Sequence, residues 1–186
     1  MILSILVLTI DTRVDLFNKL YAELCKQVSA INMENEIELL VNYDNENSIG
    51  TKRNDLLHAA IGEYICYIDD DDEISATYIQ DIISALDSKP DCVSLLGVIT
   101  WDGRNAEMFE HSIRYSAYAT TTNNIKYERF PNHLNTIKSS IAKQFSFQEI
   151  DFGEDEDWAT KIYNSGLLKK EVRINKVLYF YKYKHK

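Results

Sequence analysis

Within the first hundred residues, four apolar runs of strand length alternate with three amphipathic segments, and this alternation leaves few architectures open. Ile2 to Thr9 is almost wholly apolar, as a central strand covered on both faces requires. Phe17, Leu20, Tyr21, Leu24 and Val28 then recur at three- and four-residue steps, predicting a helix over 13–30 with Asp11 or Thr12 as its cap. Glu36 to Asn42 reads as a second strand and Asn42 to Ser48 as a polar loop. A helix over 50–61, stopped by Gly62, leads to the third strand, Tyr64 to Ile68. Ile79, Ile82, Ile83 and Leu86 mark a further helix, capped by Ser75 and closed by Pro90, before a fourth strand over Cys92 to Thr100. The order predicts an α/β fold with a mostly parallel central sheet, right-handed crossovers and flanking helices.

Beyond Trp101 the regularity lapses. Met108 to Tyr118 and Ile125 to Phe130 read as strands, Ile137 to Phe145 as a short helix, Trp158 to Asn164 as a helix ended by Gly166, and Leu178 to Tyr183 as a last strand. A small antiparallel addition in the C-terminal half is therefore expected. The 186 residues suit one domain, 1–186.

The third strand runs straight into Asp69, Asp70, Asp71 and Asp72. In an open α/β sheet such a strand delivers its end to the carboxyl edge, where ligands bind. Four adjacent carboxylates repel one another, so either bulk water or a divalent cation must compensate them, and hard cations prefer oxygen ligands. A solvated loop or helix cap is the alternative. The rest of the charge is also sorted. Asp69 to Glu73 and Asp151 to Asp157 hold ten of the 29 acidic residues, whereas Lys169 to Lys186 carries seven Lys or Arg against one Glu. The net charge of −9 argues against a broad nucleic-acid-binding surface. Lys52 and Arg53 sit in the first turn of their helix, where cations oppose the macrodipole, so they are expected to face an anion.

Cys25, Cys66 and Cys92 are odd in number and widely spaced, which suits reduced, mostly buried thiols of an intracellular protein. Met1 to Ile10 lacks a basic leader and a small-residue cleavage site, so it reads as a strand and not a secretion signal. No run approaches the roughly 20 apolar residues of a membrane span. A cytoplasmic location, bacterial or in a host cell if phage-encoded, is expected.

Lys52-Arg53-Asn54, then Ala60, Gly62-Glu63-Tyr64-Ile65 and Ile68-Asp69-Asp70-Asp71-Asp72, resemble the core of family 2 glycosyltransferases of the GT-A fold. Gly153-Glu154-Asp155 resembles that family's Glu-Asp motif. The resemblance implies a metal-dependent, inverting transfer of a sugar, hexosyl or pentosyl, from a nucleotide-diphosphate donor to an acceptor hydroxyl. It places the nucleotide sugar on residues 1–100, and the acceptor and catalytic base on 101–186. Thr9, Asp11 and Arg13 match positions that contact the nucleotide, and Asn42 and Asp44 the place where the base is read. Lys52 and Arg53 face the diphosphate. Asp69 and Asp71 match the Asp-x-Asp pair, with Asp71 the direct ligand of Mn2+ or Mg2+, Asp70 a donor contact, and His185 a late metal or diphosphate ligand. Asp155 matches the catalytic base. Trp101, His133 and Glu154 are expected on the acceptor side.

The chemistry suits these residue types. A diphosphate leaving group gathers charge that a cation and basic groups can meet, and an acceptor hydroxyl needs a carboxylate to take its proton. A UDP-sugar is the first choice of donor, and a glycan or a modified nucleobase in DNA the acceptor. A nucleotidyltransferase would be expected to carry a Gly-rich loop after the first strand, and Thr9 to Val14 has no Gly. A non-catalytic nucleotide- or carbohydrate-binding module is a further alternative; retention of Asp69, Asp71 and Asp155 together speaks against it. The basic, aromatic tail can close over phosphates, approach an anionic acceptor or a membrane surface, or protect a solvated edge strand.

Overall fold

A computed structural model describes residues 1–184. Strand β1 (Leu3–Leu8) is buried along nearly its whole length and runs parallel between β2 (Ile37–Asn42) and β3 (Tyr64–Tyr67). Helix α1 (Val14–Ala30) joins β1 to β2, and α2 (Ile49–Ala59) joins β2 to β3. Both helices lie where the apolar period puts them, because each buries that stripe: Phe17, Leu20, Leu24 and Val28 in α1, Leu56 and Leu57 in α2. Alternation along β1 sends Leu3, Ile5 and Val7 into a core with α1 and Leu6 into a second core with α2.

The ends of the helices differ from expectation. Neither Asp11 nor Thr12 caps α1; residues Asp11–Arg13 form a 3-10 turn, and Arg13 takes the capping position without a side-chain bond. Ser48 caps α2, its Oγ accepting the Thr51 N–H at 3.2 Å. Helix α2 has already ended at Ala59 when the chain reaches Gly62, which serves packing instead: a Cβ there would lie 2.6 Å from the Ser4 backbone nitrogen.

After β3 come β4 (Glu73–Ile74), α3 (Tyr78–Leu86), β5 (Cys92–Val93) and β6 (Leu95–Trp101). Ser75 does not cap α3; Thr77 precedes the helix, and the Ser75 Oγ is buried without a hydrogen bond. The strand expected over Cys92 to Thr100 is two strands in two sheets. The break falls at Ser94, whose N–H donates to the Val172 carbonyl and whose Oγ accepts from the Ile174 N–H. An apolar run reads the same whichever sheet its residues join, so periodicity does not reveal the transfer.

The remaining elements are β7 (Arg104–His111), β8 (Ala119–Thr120), β9 (Ile125–Arg129), β10 (Ile137–Lys138), α4 (Ser139–Ala142), α5 (Glu154–Ser165), β11 (Glu171–Val172) and β12 (Val177–Tyr183). Part of the short helix expected over Ile137 to Phe145 is strand, because Ile137 pairs antiparallel with both β3 and β5. Helix α5 ends at Gly166, in the left-handed region at φ 64°, as expected.

One sheet has the order β11-β5-β10-β3-β1-β2, the other β4-β12-β6-β7-β9-β8. The second is mixed: β6 pairs antiparallel with β7 and parallel with β12. Cys66 and Cys92 are buried, whereas Cys25 is exposed. No helix among the described residues is long and apolar enough to cross a membrane.

Candidate active site

The carboxyl ends of β1 and β3 open side by side, and the chain leaving β3 turns at once, with the Asp72 N–H donating to the Asp69 carbonyl. That turn gives four adjacent carboxylates four different environments. Asp69 accepts from Arg53 Nη2 at 3.2 Å, and its other oxygen lies 3.6 Å from His133 Nε2. Asp70 is buried and accepts from Arg13 Nη1 at 2.9 Å, while its Oδ2 is buried without a hydrogen bond. Asp71 is a quarter exposed and lies 3.3 Å from the same Arg13. Asp72 turns away from the opening, accepting from the Tyr179 hydroxyl and the Lys182 backbone N–H, each at 2.8 Å.

These surroundings pull acidities in opposite directions. Burial alone would raise Asp69, but the Arg53 charge, helped by His133, outweighs it and holds the carboxyl below the usual range. Burial raises Asp71, opposed by Arg13 and reinforced by Asp69 and Asp70. Asp72 stands well above the ordinary value, from burial first and the neighbouring Asp69 charge second.

Opposite signs follow for pH. Asp69 contributes stability that is present above the ordinary carboxylate pKa and lost as pH falls through its depressed folded value. For Asp72 the native state binds the extra proton, so its contribution falls as pH rises from about 3.9 through the raised folded value. Asp72→Asn, which retains a partner for Tyr179 and for Lys182, is expected to unfold at a higher temperature than wild type at pH 7. The difference should vanish towards pH 4. Thermal unfolding at the two pH values measures it, and an unchanged or lower melting temperature at pH 7 contradicts the assignment.

Arg53 is the cation around which the site is built. The side chain is buried; its Nε donates to Glu154 at 3.2 Å, its Nη2 to Asp69, and its Nη1 has no hydrogen-bond partner. Its guanidinium lies 5.1 Å from the centre of the Tyr67 ring. Arg53, the fifth residue of α2 and so past the first turn expected of it, does face anions, and both are carboxylates. Lys52 instead donates to the Asp44 carbonyl at 3.0 Å.

Gly153, at φ 84°, turns the chain into α5. Glu154 points inward to Arg53; burial first, then the Asp155 charge, raise its pKa despite that pair. Asp155, about a third exposed, places Oδ2 3.6 Å from His133 Nδ1. One buried imidazole thus stands between Asp69 and Asp155, its ring edge-on to Tyr67.

Two clefts meet here. The first, about 450 Å³, is lined by Thr9, Arg13, Lys52, Asp70 and Asp71 among others. The second, about 390 Å³, is lined by Trp101, His133, Glu154, Asp155 and residues of the second sheet. Arg53, Asp69, Asp151, Phe152 and Tyr181 border both. Loop 148–152 is fixed over them by α2: the Ile49 N–H donates to Asp151 and the Gly50 N–H to the Ile150 carbonyl, each at 3.0 Å. A Cβ on Gly50 would meet the Gln148 carbonyl oxygen at 1.7 Å.

Other expected residues stand apart. Asp44 accepts from the Glu46 and Asn47 N–H groups, and Asn42 from the Asp44 N–H, so both side chains shape their own loop. Asp11 is exposed, with its N–H on Asn45. None of the three lines either cleft. His185 lies outside the described residues. Tyr179, Tyr181, Asp151 and Phe152 are additions that sequence reasoning missed. The alternating pattern of β12 was legible, but its site-facing side carries the tyrosines, and Lys182 Nζ pairs with Glu73 at 2.5 Å.

Comparison with known proteins bears on the family and the fold. A family model described as glycosyl transferase family 2 matches residues 18–151, ending just before Gly153. No curated protein matches the sequence. Among solved structures, S. aureus TarS 1–349 in complex with UDP-GlcNAc superposes with a TM-score of 0.70 at 17% identity, covering 100% of this chain and 60% of that one. The same protein in complex with UDP gives 0.69 at 18% identity, covering 98% and 61%. The chain thus spans about three fifths of the length of those structures. The likeness is one of fold.

Proposed function

The chain belongs to glycosyl transferase family 2, and from that premise we propose that it moves a sugar from a nucleotide-diphosphate donor to an acceptor hydroxyl, inverting the anomeric centre. The observation that carries this reading is the placing of Asp69 and Asp155 at 3.6 Å from opposite nitrogens of His133, where the two clefts meet. A donor lying in the first cleft presents its anomeric carbon at that junction, and an acceptor in the second reaches it beside Asp155. UDP and UDP-GlcNAc in the TarS complexes make a UDP-sugar the first donor to try.

Asp155 accepts the hydroxyl proton as the acceptor attacks. His133 positions that carboxylate relative to Asp69. Arg13 and the unpartnered Arg53 Nη1 lie on the cleft wall where the diphosphate gathers charge. One base and one displacement give inversion.

The residues fit a divalent cation. Asp70 Oδ2 is a buried acceptor with no donor, and Asp71 meets like charges with Arg13 as its counter-ion. Among the described residues no three His, Cys, Asp or Glu side chains converge on one point. Mg2+ needs only one or two carboxylates when phosphate and water complete its shell. Asp71, with Asp69, would hold Mn2+ or Mg2+, which supplies charge stabilisation to the departing diphosphate.

Incubation with UDP-sugars and Mn2+ or Mg2+, followed by chromatography for UDP and mass spectrometry for product, tests the proposal. UDP release with one donor, lost on chelation, is expected. Absence of nucleoside diphosphate and of glycosylated product across a full donor panel overturns it.

A further inference from the structure

The second cleft carries a chemical description of its acceptor. Its wall is rich in aromatic rings, with Trp101, Tyr127, Phe152 and Tyr181 around Asp155. Phe152 is 77% exposed at the rim. The charged groups are four carboxylates, Asp69, Asp151, Glu154 and Asp155, against two arginines. Arg53 is committed to Asp69 and Glu154. Arg129 spends Nη1 on the Ala119 and Glu128 carbonyls and lies over Tyr118. Of the two histidines on the wall, His111 is neutral, burial first and then His133 lowering its pKa to about 3, while His133 lies between Asp69 and Asp155. A phosphate-bearing acceptor would bring negative charge beside Asp151 and Asp155, carboxylates that no arginine or lysine pairs with among the described residues.

Polar recognition is nevertheless available. His133 Nδ1 and Nε2 are buried at the cleft without hydrogen-bond partners, and hydroxyl groups, as both donors and acceptors, can satisfy them. A pyranose offers that combination, with hydroxyls around its edge and a C–H face that packs on aromatic rings.

We propose that the second cleft takes an uncharged saccharide acceptor, its C–H face packed on Phe152 and the neighbouring rings, in preference to a phosphate-bearing polymer such as a nucleic acid. This rests on the glycosyltransferase reading above and names the acceptor class for that same site.

The test uses the full chain and a donor already shown, by thermal stabilisation or slow hydrolysis, to bind. UDP release is measured with neutral aryl pyranosides and with phosphate-bearing acceptors: phosphorylated forms of the same glycosides, polyol-phosphate oligomers, and single-stranded DNA carrying hydroxymethylated pyrimidines. Neutral glycosides are expected to give at least about tenfold higher kcat/KM. Phe152→Ala should raise the acceptor KM by about tenfold, with a smaller change in donor KM, and Phe152→Trp should restore it. Preference for any phosphate-bearing acceptor, or failure of every neutral saccharide with a protein that binds donor, overturns the acceptor assignment while leaving the transferase reading intact. If no donor binds, the transferase reading falls first.

Discussion

Asp155→Asn is expected to reduce sugar transfer by about a thousandfold, the scale of a lost general base, while donor affinity stays within roughly a factor of two. The substitution keeps the volume of the side chain while removing its charge and its ability to take a proton. Asp155 is about a third exposed and lies on the second cleft, so neither folding nor the donor cleft depends on its charge. Glu154, one residue earlier, makes the control. Its carboxylate is directed at Arg53, so Glu154→Gln should weaken the protein's stability more than its proton transfer. Single-turnover kinetics with saturating donor separates the two. Full activity in Asp155→Asn would move the base to another carboxylate.

Arg53→Ala is expected to lower unfolding stability by about 3–5 kcal/mol, the usual result of removing one partner from a buried ion pair. For a chain of this size that is roughly a 10 °C fall in melting temperature. The side chain is only 6% exposed, and its removal strands Glu154 at 5% exposure and leaves Asp69 without its main opposing charge. It also takes the cation from the face of Tyr67. Arg53→Lys keeps a charge but not the planar fork that reaches two carboxylates at once, so it should recover only part of the loss. The pair Arg53→Met with Glu154→Gln removes both ends of one ion pair and should be less damaging than Arg53→Ala alone. Urea or thermal unfolding reports all three, and a near-wild-type Arg53→Ala would show that the triad is not a structural centre.

What could be read beforehand divides along physical lines. Strands β1 to β3 and helices α1 and α2 were legible because each buries a continuous run or stripe with a local period. Arg53 was expected to face an anion because the helix was placed one residue late; α2 starts at Ile49, so Arg53 lies past its first turn, and its carboxylate partners come from distant segments. The move of the chain between sheets at Ser94 was not, because pairing partners as distant as Val172 decide it. The resemblance set Asp69 and Asp71 apart from Asp70, but the partners that give each aspartate its surroundings were hidden. Tyr179, whose hydroxyl removes Asp72 from the opening, lies 107 residues away, and no local pattern announces that approach. The local bonding of Asp44 was hidden for the opposite reason. A carboxylate after the second strand looks free for a ligand, but the two N–H groups that follow it complete an Asx-type turn.

The aromatic and acidic cleft beside Asp155 had to await the second sheet, which gathers Trp101, Tyr127 and Tyr181 from three strands. The charge sorting seen along the chain prepared for an acidic site but assigned the basic tail no partner. Glu73 supplies one for Lys182.

The central claim is that the cleft beneath Thr9, Arg13 and Asp71 holds a nucleoside diphosphate with a divalent cation. Thermal unfolding of the wild-type chain with UDP, with Mn2+, and with both tests it most directly, because a ligand that binds only the native state raises the melting temperature. The account predicts a shift with UDP and Mn2+ together that exceeds the sum of their separate effects and shrinks in Asp71→Ala. No shift with UDP or any other nucleoside diphosphate, with or without metal, would contradict it.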